Sequence, residues 1–324
     1  MVSVVIPCYN EQEVLPMMFE RLKAAIADWG TACDVILVDD GSTDGTWELM
    51  QGFHREDPRW RAIRLSRNFG HQVALWAGLR HVTGDVIAVL DADLQDPPEV
   101  VRQFLDKWVE GHDVVYAIRT KRKEGPFKRM GYAVFYRVLA LLSEIEIPLD
   151  SGDFCVIDRH VLDQMTIVTD QQPFARGLRA WVGFNHVGVP YERHERAAGQ
   201  PKYTFAKLVQ LALNGIFSFS TMPLRLATYL GFIVSAFAFM VAAFSLARWV
   251  FASQFEAMGM GPTTGMTSIV MGIMFLGGVQ LVCIGILGEY VGRIYENVKG
   301  RPQYTVRERL GYGQPGSVSG RMTE

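Results

Sequence analysis

The 324-residue chain has no surplus of either charge: 32 Lys and Arg stand against 34 Asp and Glu, for a formal net charge of −2. The balance gives no electrostatic case for nucleic acid as a partner. Cysteine is scarce as well. Cys8, Cys33, Cys155 and Cys283 lie in apolar or strand-like surroundings with no C-x-x-C or metal-ligand spacing, which argues against a disulfide framework and for reduced thiols. The opening MVSVVIPCYN has no basic segment and too short an apolar stretch for a signal peptide, so the first part of the chain is expected in the cytosol. No G-x-G-x-x-G follows the first apolar run, and G-x-x-x-x-G-K-[ST] is absent. Dinucleotide and P-loop phosphate binding thereby lose their usual carriers.

Charge is also missing locally. Leu226 to Ala247 contains no charged residue, and Thr267 to Leu287 has only Gln280 as a strongly polar one. Each run has about the ~20 residues that cross a bilayer core. The joining segment, Phe251 to Met266, contains Glu256 and no Lys or Arg. The outer flanks carry Lys202, Lys207 and Arg225 on one side and Arg293, Lys299, Arg301, Arg307 and Arg309 on the other. The positive-inside rule then predicts two spans in the cytoplasmic membrane with the N-terminal domain and the C-terminal tail both cytoplasmic. Arg248 is an exception that can snorkel to the interface. Gly285, Gly288 and Gly292 give the second span a small face able to receive a neighbouring helix, which leaves room for a homo-oligomer. Tyr203 to Phe219 and Pro126 to Leu142 carry apolar residues at helical spacing next to basic ones, the pattern of a membrane-surface helix.

The remainder is of a different character. Short apolar runs (Val2 to Ile6, Val35 to Val38, Ala62 to Leu65, Val86 to Leu90, Val114 to Tyr116) alternate with helical stretches (Glu13 to Ala27, Thr46 to Phe53, Gly70 to His81, Pro98 to Val109). Such β-α alternation predicts a parallel sheet with helices on both faces, and ligands bind beyond the carboxyl ends of such strands. Three polar clusters fall there: Pro7-Cys8-Tyr9-Asn10-Glu11, Asp39-Asp40-Gly41-Ser42 and Asp91-Ala92-Asp93. Paired acids at a strand end suit Mg²⁺ or Mn²⁺, because their oxygens hold a hard cation and leave positions for phosphate oxygens.

These clusters, with Arg67-Asn68-Phe69-Gly70-His71-Gln72, Leu94-Gln95-Asp96-Pro97-Pro98, Ser151-Gly152-Asp153-Phe154, Arg176-Gly177-Leu178, Gly199-Gln200-Pro201-Lys202-Tyr203, Pro223-Leu224-Arg225 and Gly288-Glu289-Tyr290-Val291-Gly292-Arg293, resemble the inverting family 2 glycosyltransferases. More narrowly they resemble its polyprenyl-phosphate glycosyltransferases, such as bactoprenol glucosyltransferases and dolichol-phosphate mannose synthases. Gln200-Pro201 departs from the small hydroxyl residue more usual before the lysine. The resemblance implies an α/β, Rossmann-like GT-A catalytic domain over residues 1–200, a juxtamembrane amphipathic helix over 201–225, two transmembrane helices over 226–289 and a basic tail over 290–324.

It further implies that Pro7, Tyr9, Glu11, Asp39, Asp40, Asp91 and Ala92 meet the nucleotide sugar, and that Asp91, Asp93 and Gln95 hold Mg²⁺ or Mn²⁺. Arg119 and Lys202 would approach the phosphates, Arg122 and Arg129 the lipid phosphate, and Asp153 would be the base. A phosphate monoester is already largely dianionic near neutral pH, with a second pKa near ~6, so Asp153 can equally orient the acceptor. The implied reaction moves one hexose, glucose from UDP-glucose foremost, to undecaprenyl phosphate with inversion. GDP-mannose, UDP-N-acetylhexosamine or UDP-aminoarabinose are alternative donors. A processive polysaccharide synthase would want more spans and a Q-x-x-R-W motif, whose letters occur at Gln171 to Trp181 only at the wrong spacing. A non-catalytic nucleotide-binding scaffold would have little use for both acids.

Overall fold

The structure, a computed structural model, describes residues 1–119, 151–168, 173–192, 220–257 and 265–312. It divides into a sheet-based unit, which includes the segment after residue 299, and a helical unit. In the first, strands β1 (Val2–Cys8), β2 (Cys33–Asp39), β3 (Trp60–Leu65) and β4 (Val86–Val89) alternate with helices α1 (Leu15–Asp28), α2 (Thr46–Glu56) and α3 (His71–Leu79). A short 3₁₀ turn at Pro98–Val100 leads into α4 (Val101–Val109). Then come β5 (Val114–Arg119), β6 (Ser151–Asp158), α5 (Arg159–Ile167), α6 (Ala175–Trp181) and β7 (His186–Tyr191).

The strands form one eight-stranded sheet in the order β7-β5-β6-β4-β1-β2-β3-β8, where β8 is Val306–Leu310. The expected parallel pairing is found in β4-β1-β2-β3 and again between β5 and β7, and is corrected elsewhere. β6 inserts antiparallel between β4 and β5, and β8 caps the β3 edge antiparallel. The sheet is therefore mixed, which a chain-order alternation of helix and strand does not reveal.

The alternating residues of each strand divide between two covers. Val4, Ile6, Val35, Leu37, Ala62, Ala88 and Val156 pack with Phe19, Trp47, Phe53 and Phe104 of α1, α2 and α4. Phe19 stacks on Phe53 with centroids 4.3 Å apart. On the opposite face α3 comes so close that a Cβ on Gly78 would stand 2.3 Å from Val5 Cγ1 and 3.0 Å from Val38 Cγ2. Only glycine permits that contact. Strands buried on both faces are nearly all apolar, and β1 and β2 are buried throughout.

Burial also settles the cysteines. Cys8, Cys33 and Cys155 are buried free thiols, and loss of hydration pushes Cys33 up to about 12 and raises Cys155. Native protein treated with a thiol-specific alkylating reagent at pH 8 should leave these three unlabelled by mass spectrometry, whereas denatured protein should label at all of them. Rapid native labelling of Cys33 or Cys155 would contradict the packing described.

In the helical unit, α7 (Met222–Val250), α8 (Ala252–Ala257) and α9 (Met266–Val298) follow one another. At 1.5 Å per residue the 29-residue α7 and 33-residue α9 exceed the ~30 Å of a bilayer core. The two pack together, with Cys283 Sγ 3.9 Å from the Ala227 carbonyl and Tyr290 Oη donating to the Ser220 carbonyl at 2.7 Å. Their outer surfaces stay apolar and uncovered, Phe232, Phe239 and Trp249 being at least 70% exposed. Both are long and apolar enough to cross a membrane. The expected surface helices at Tyr203 to Phe219 and Pro126 to Leu142 lie outside the described residues.

Candidate active site

The pairing register brings four segments to one end of the sheet. β1 and β2 end in step, Cys8 beside Asp39. β4 runs parallel to β1, so Asp91 to Asp93 emerge on the same side. β6 runs opposite to β4, with Cys155 beside Val89, so its beginning rather than its end arrives there and carries Asp153. The antiparallel insertion is what makes Asp153 a neighbour of Asp91.

The loops after β1 and β2 are bonded to each other. Asn10 takes a positive φ of 53°; its N–H donates to Ser42 Oγ at 2.9 Å and its Oδ1 accepts from Thr43 N at 2.9 Å. Glu11 N–H donates to Thr46 Oγ1 at 2.9 Å. Tyr9 and Glu11 are half-buried at the rim, and Pro7 is buried inside β1. Gly41 has φ 67°, and a Cβ there would lie 2.4 Å from the Arg67 carbonyl carbon, so this position admits glycine alone.

Asp39 and Asp40 are both buried. Asp39 accepts from Ser42 N at 2.8 Å and pairs with Arg64 at 3.2 Å, and Arg64 also reaches Glu308 of β8 at 3.6 Å. Asp40 accepts from the N–H groups of Phe69 and Gly70 at 2.7 and 2.9 Å. Desolvation raises the pKa of each, and these bonds work against it. Each Asp40 oxygen keeps a second lone pair for a further donor.

The segment from Asp91 to Gln95 alternates like a strand. Asp91, Asp93 and Gln95 are half-buried, while Ala92 and Leu94 turn into the core. Ala92 therefore has only its backbone to offer a nucleotide. Leu94 takes φ 57°, Gln95 N–H donates to Asp93 Oδ1 at 3.1 Å, and Tyr191 Oη bonds Asp96 from β7. Asp91 Oδ1 is covered yet has no hydrogen-bond partner among the described residues. Burial lifts Asp91 to about 6, against the opposing charge of His71. No cluster of three His, Cys, Asp or Glu able to hold a metal occurs among the described residues. Two carboxylates and the Gln95 amide oxygen are nevertheless hard donors that suit Mg²⁺ or Mn²⁺, provided phosphate oxygens complete the shell. The orphaned Asp91 oxygen fits that requirement.

His71, at the start of α3, stands between the acids. Its Nε2 is 3.6 Å from both Asp91 Oδ1 and Asp153 Oδ2. Burial opposes its charge, but the two carboxylates prevail and hold it at about 9. Asp153 Oδ1 pairs with Arg176 Nη2 at 3.4 Å, and Oδ2 accepts from Gln72 Nε2 at 3.0 Å. Burial works to raise the Asp153 pKa, yet Arg176 and His71 outweigh it and leave the carboxyl well below its ordinary range.

Of the residues singled out in the sequence, Pro7, Tyr9, Glu11, Asp39, Asp40, Asp91, Asp93, Gln95 and Asp153 thus gather at one end of the sheet. Arg119 closes β5, but its side chain, with Arg122, Arg129 and Lys202, lies outside the described residues. Roles for His71, Gln72, Arg64 and Arg176 were not drawn from the sequence. His71, Gln72 and Arg176 sit within the family-like motifs Arg67 to Gln72 and Arg176 to Leu178, the one signal that could have pointed to them.

The profile of Glycosyl transferase family 2 matches residues 3–166. The chain is 41% identical over 310 residues to the uncharacterized glycosyltransferase YkcC of Bacillus subtilis (strain 168), covering 95% of this chain and 94% of that one. It is 37% identical over 309 residues to the bactoprenol glucosyl transferase of Shigella phage SfX, covering 95% and 99%. Among solved structures, a mannosyltransferase from Pyrobaculum calidifontis in complex with GDP-Man and Mn²⁺ aligns over 90% of this chain and 86% of that one, with TM-score 0.46 and 18% identity, too loose a likeness to bear on donor or metal. With a family model over half of its length and relatives matched at this length and identity, the chain belongs to glycosyltransferase family 2.

Proposed function

We propose that this glycosyltransferase moves a single hexose, glucose from UDP-glucose foremost, onto polyprenyl phosphate at the cytoplasmic face of a membrane, with inversion and with Mg²⁺ or Mn²⁺. The observation that carries the reading is the meeting of Asp91 and Asp93 with the His71–Asp153–Arg176 group at one end of the sheet, in a chain with two helices of membrane length. The 37% identity to a bactoprenol glucosyl transferase over nearly full length supports the lipid acceptor and the hexose.

The cation, held by Asp91, Asp93 and Gln95, would neutralise the diphosphate as it leaves. The loops bearing Tyr9, Glu11, Asp39 and Asp40 are tied together so that they can receive the nucleoside without rearranging. Asp153, kept anionic by Arg176 and His71, is a poor proton acceptor, and a phosphate acceptor has little need of one. Its better use is to orient Arg176 toward an anionic partner, since the Arg176 Nε–H is buried without a hydrogen-bond acceptor among the described residues. Arg119 and Lys202 would add positive charge around the diphosphate, and Arg122 and Arg129 around the lipid phosphate.

Connectivity supports the membrane arrangement. The segment after α9 pairs as β8 with the sheet that precedes α7, which supports a reading with both ends of the helical pair on one side of the membrane. With the basic flanks, that side is the cytoplasm.

The test is transfer of radiolabel in membranes from a panel of nucleotide sugars to added undecaprenyl phosphate. Label should enter the organic-extractable lipid with UDP-glucose and Mg²⁺, disappear with chelator, and fall about 10²-fold or more in Asp93→Asn. No labelled lipid with any donor would defeat the reading, and full activity in Asp93→Asn would remove that residue from the cation site.

A further inference from the structure

Arg67 to Gln72 meets the candidate site through the bonds of Phe69 and Gly70 to Asp40, through His71, and through its last side chain, Gln72. Gln72 uses both ends of its amide. Nε2 donates to Asp153 Oδ2 at 3.0 Å, and Oε1 accepts from the N–H of Ala175 at 3.1 Å. Ala175 opens α6, and the next residue is Arg176, whose guanidinium reaches the other oxygen of Asp153 at 3.4 Å. One amide therefore holds a carboxylate and also the backbone that delivers the cation to that carboxylate.

The Asp153 side chain is only 11% exposed, so water is poorly placed to replace a lost donor, and an unmet bond there is costly. Three residues before Gln72, Phe69 donates its N–H to Asp40. The short stretch from Phe69 to Gln72 thus spans from the nucleoside loops to Asp153.

We infer that Gln72 is a positioning residue for sugar transfer: its N–H sets the Asp153 carboxylate and its carbonyl sets the start of α6, so that Asp153 and Arg176 are in place before the acceptor arrives. This rests on the proposed reading of the site. Positioning of this kind is sensitive, since a displacement of about 1 Å at reacting groups costs about 10²-fold in rate.

The two halves of the amide can be separated chemically. Gln72→Glu keeps the side-chain shape and an oxygen for Ala175 N–H, but sets a carboxylate against Asp153. Gln72→Met removes both bonds. With purified full-length protein, UDP-glucose and undecaprenyl phosphate, Gln72→Glu should lower kcat by about 10²-fold. Its Kd for UDP should stay within about twofold of the wild-type value, a change under ~0.5 kcal/mol, even though the lost donor and the facing carboxylates lower its Tm. Gln72→Met should lose kcat and Tm together.

A kcat for Gln72→Glu within about twofold of wild type overturns the inference. So does a loss of UDP affinity as large as the loss of kcat, which marks a general disturbance of the site. If wild-type protein labels no lipid with any donor, the functional reading itself falls and takes this one with it. If wild-type transfer is robust, failure is confined to Gln72.

Discussion

Replacing Asp91 with Asn will lower sugar transfer to lipid by about 10³-fold in saturating Mg²⁺ while leaving the protein as stable as before, or more so. The loss follows from removing a charged donor at a site where charge develops on a leaving diphosphate, where single groups are worth about 10² to 10³ in rate. The stability has a separate cause. Asp91 is held at about 6, above its ordinary 3.8, because burial disfavours its charged form. The folded protein therefore binds that proton more tightly than the unfolded chain. Its contribution to stability is present at low pH and is lost as pH rises through about 6. At pH 7.5 without cation the wild-type protein bears the whole cost, and the neutral Asn does not. Transfer assays with a Mg²⁺ titration, paired with thermal melts in chelator, measure both effects. A variant that is inactive and also less stable would point to a structural role for Asp91, and one with wild-type activity would remove it from the cation site.

Ending the chain at Gly300 should disable the catalytic unit, although every acid of the candidate site remains. The deletion removes β8, which pairs along β3 from Ala62 to Leu65. It removes the Tyr312 ring that lies 4.8 Å from the Arg61 guanidinium carbon, and Leu310, which packs on the core. It also takes Glu308 from Arg64, whose other carboxylate is Asp39. Ladder bonds near ~1 kcal/mol each and a cation–π contact near ~1 kcal/mol suggest a loss of about 4 kcal/mol. For a unit of this size that is roughly 10 °C in Tm, and the bared β3 edge would invite aggregation. Melting of full-length and shortened proteins in the same detergent is the measurement. An unchanged Tm would show that β8 contributes nothing to the sheet's stability.

The alternation of apolar runs and amphipathic stretches was sufficient to place β1 to β4 and the helices among them, because each element buries its own apolar face and leaves a local period behind. The same locality made the charge-free runs at Leu226 to Ala247 and Thr267 to Leu287 legible as two long helices, which the structure extends to Val250 and Val298. The loops bearing Asp39, Asp40, Asp91 and Asp93 could be marked as candidates because they follow strands that had to be parallel neighbours.

The order of the outer strands has no such local trace. Nothing in Ser151 to Asp158 states that it runs antiparallel between β4 and β5, and that insertion alone brings Asp153 to Asp91. β8 was hidden for a related reason. Its Val-Arg-Glu-Arg-Leu has three charged residues in five, as suits an edge strand with one face in water, and by composition it reads as a basic tail. His71, Gln72 and Arg176 were present in motifs but without roles, since their partners lie as many as 103 residues away in sequence. Local pattern was enough for β1 to β5 with the helices among them, for the membrane-length helices and for the chemistry available. Strand order, and with it which carboxylate faces which cation, was decided only when hydrogen-bonded pairing closed contacts between segments that carry no mark of each other.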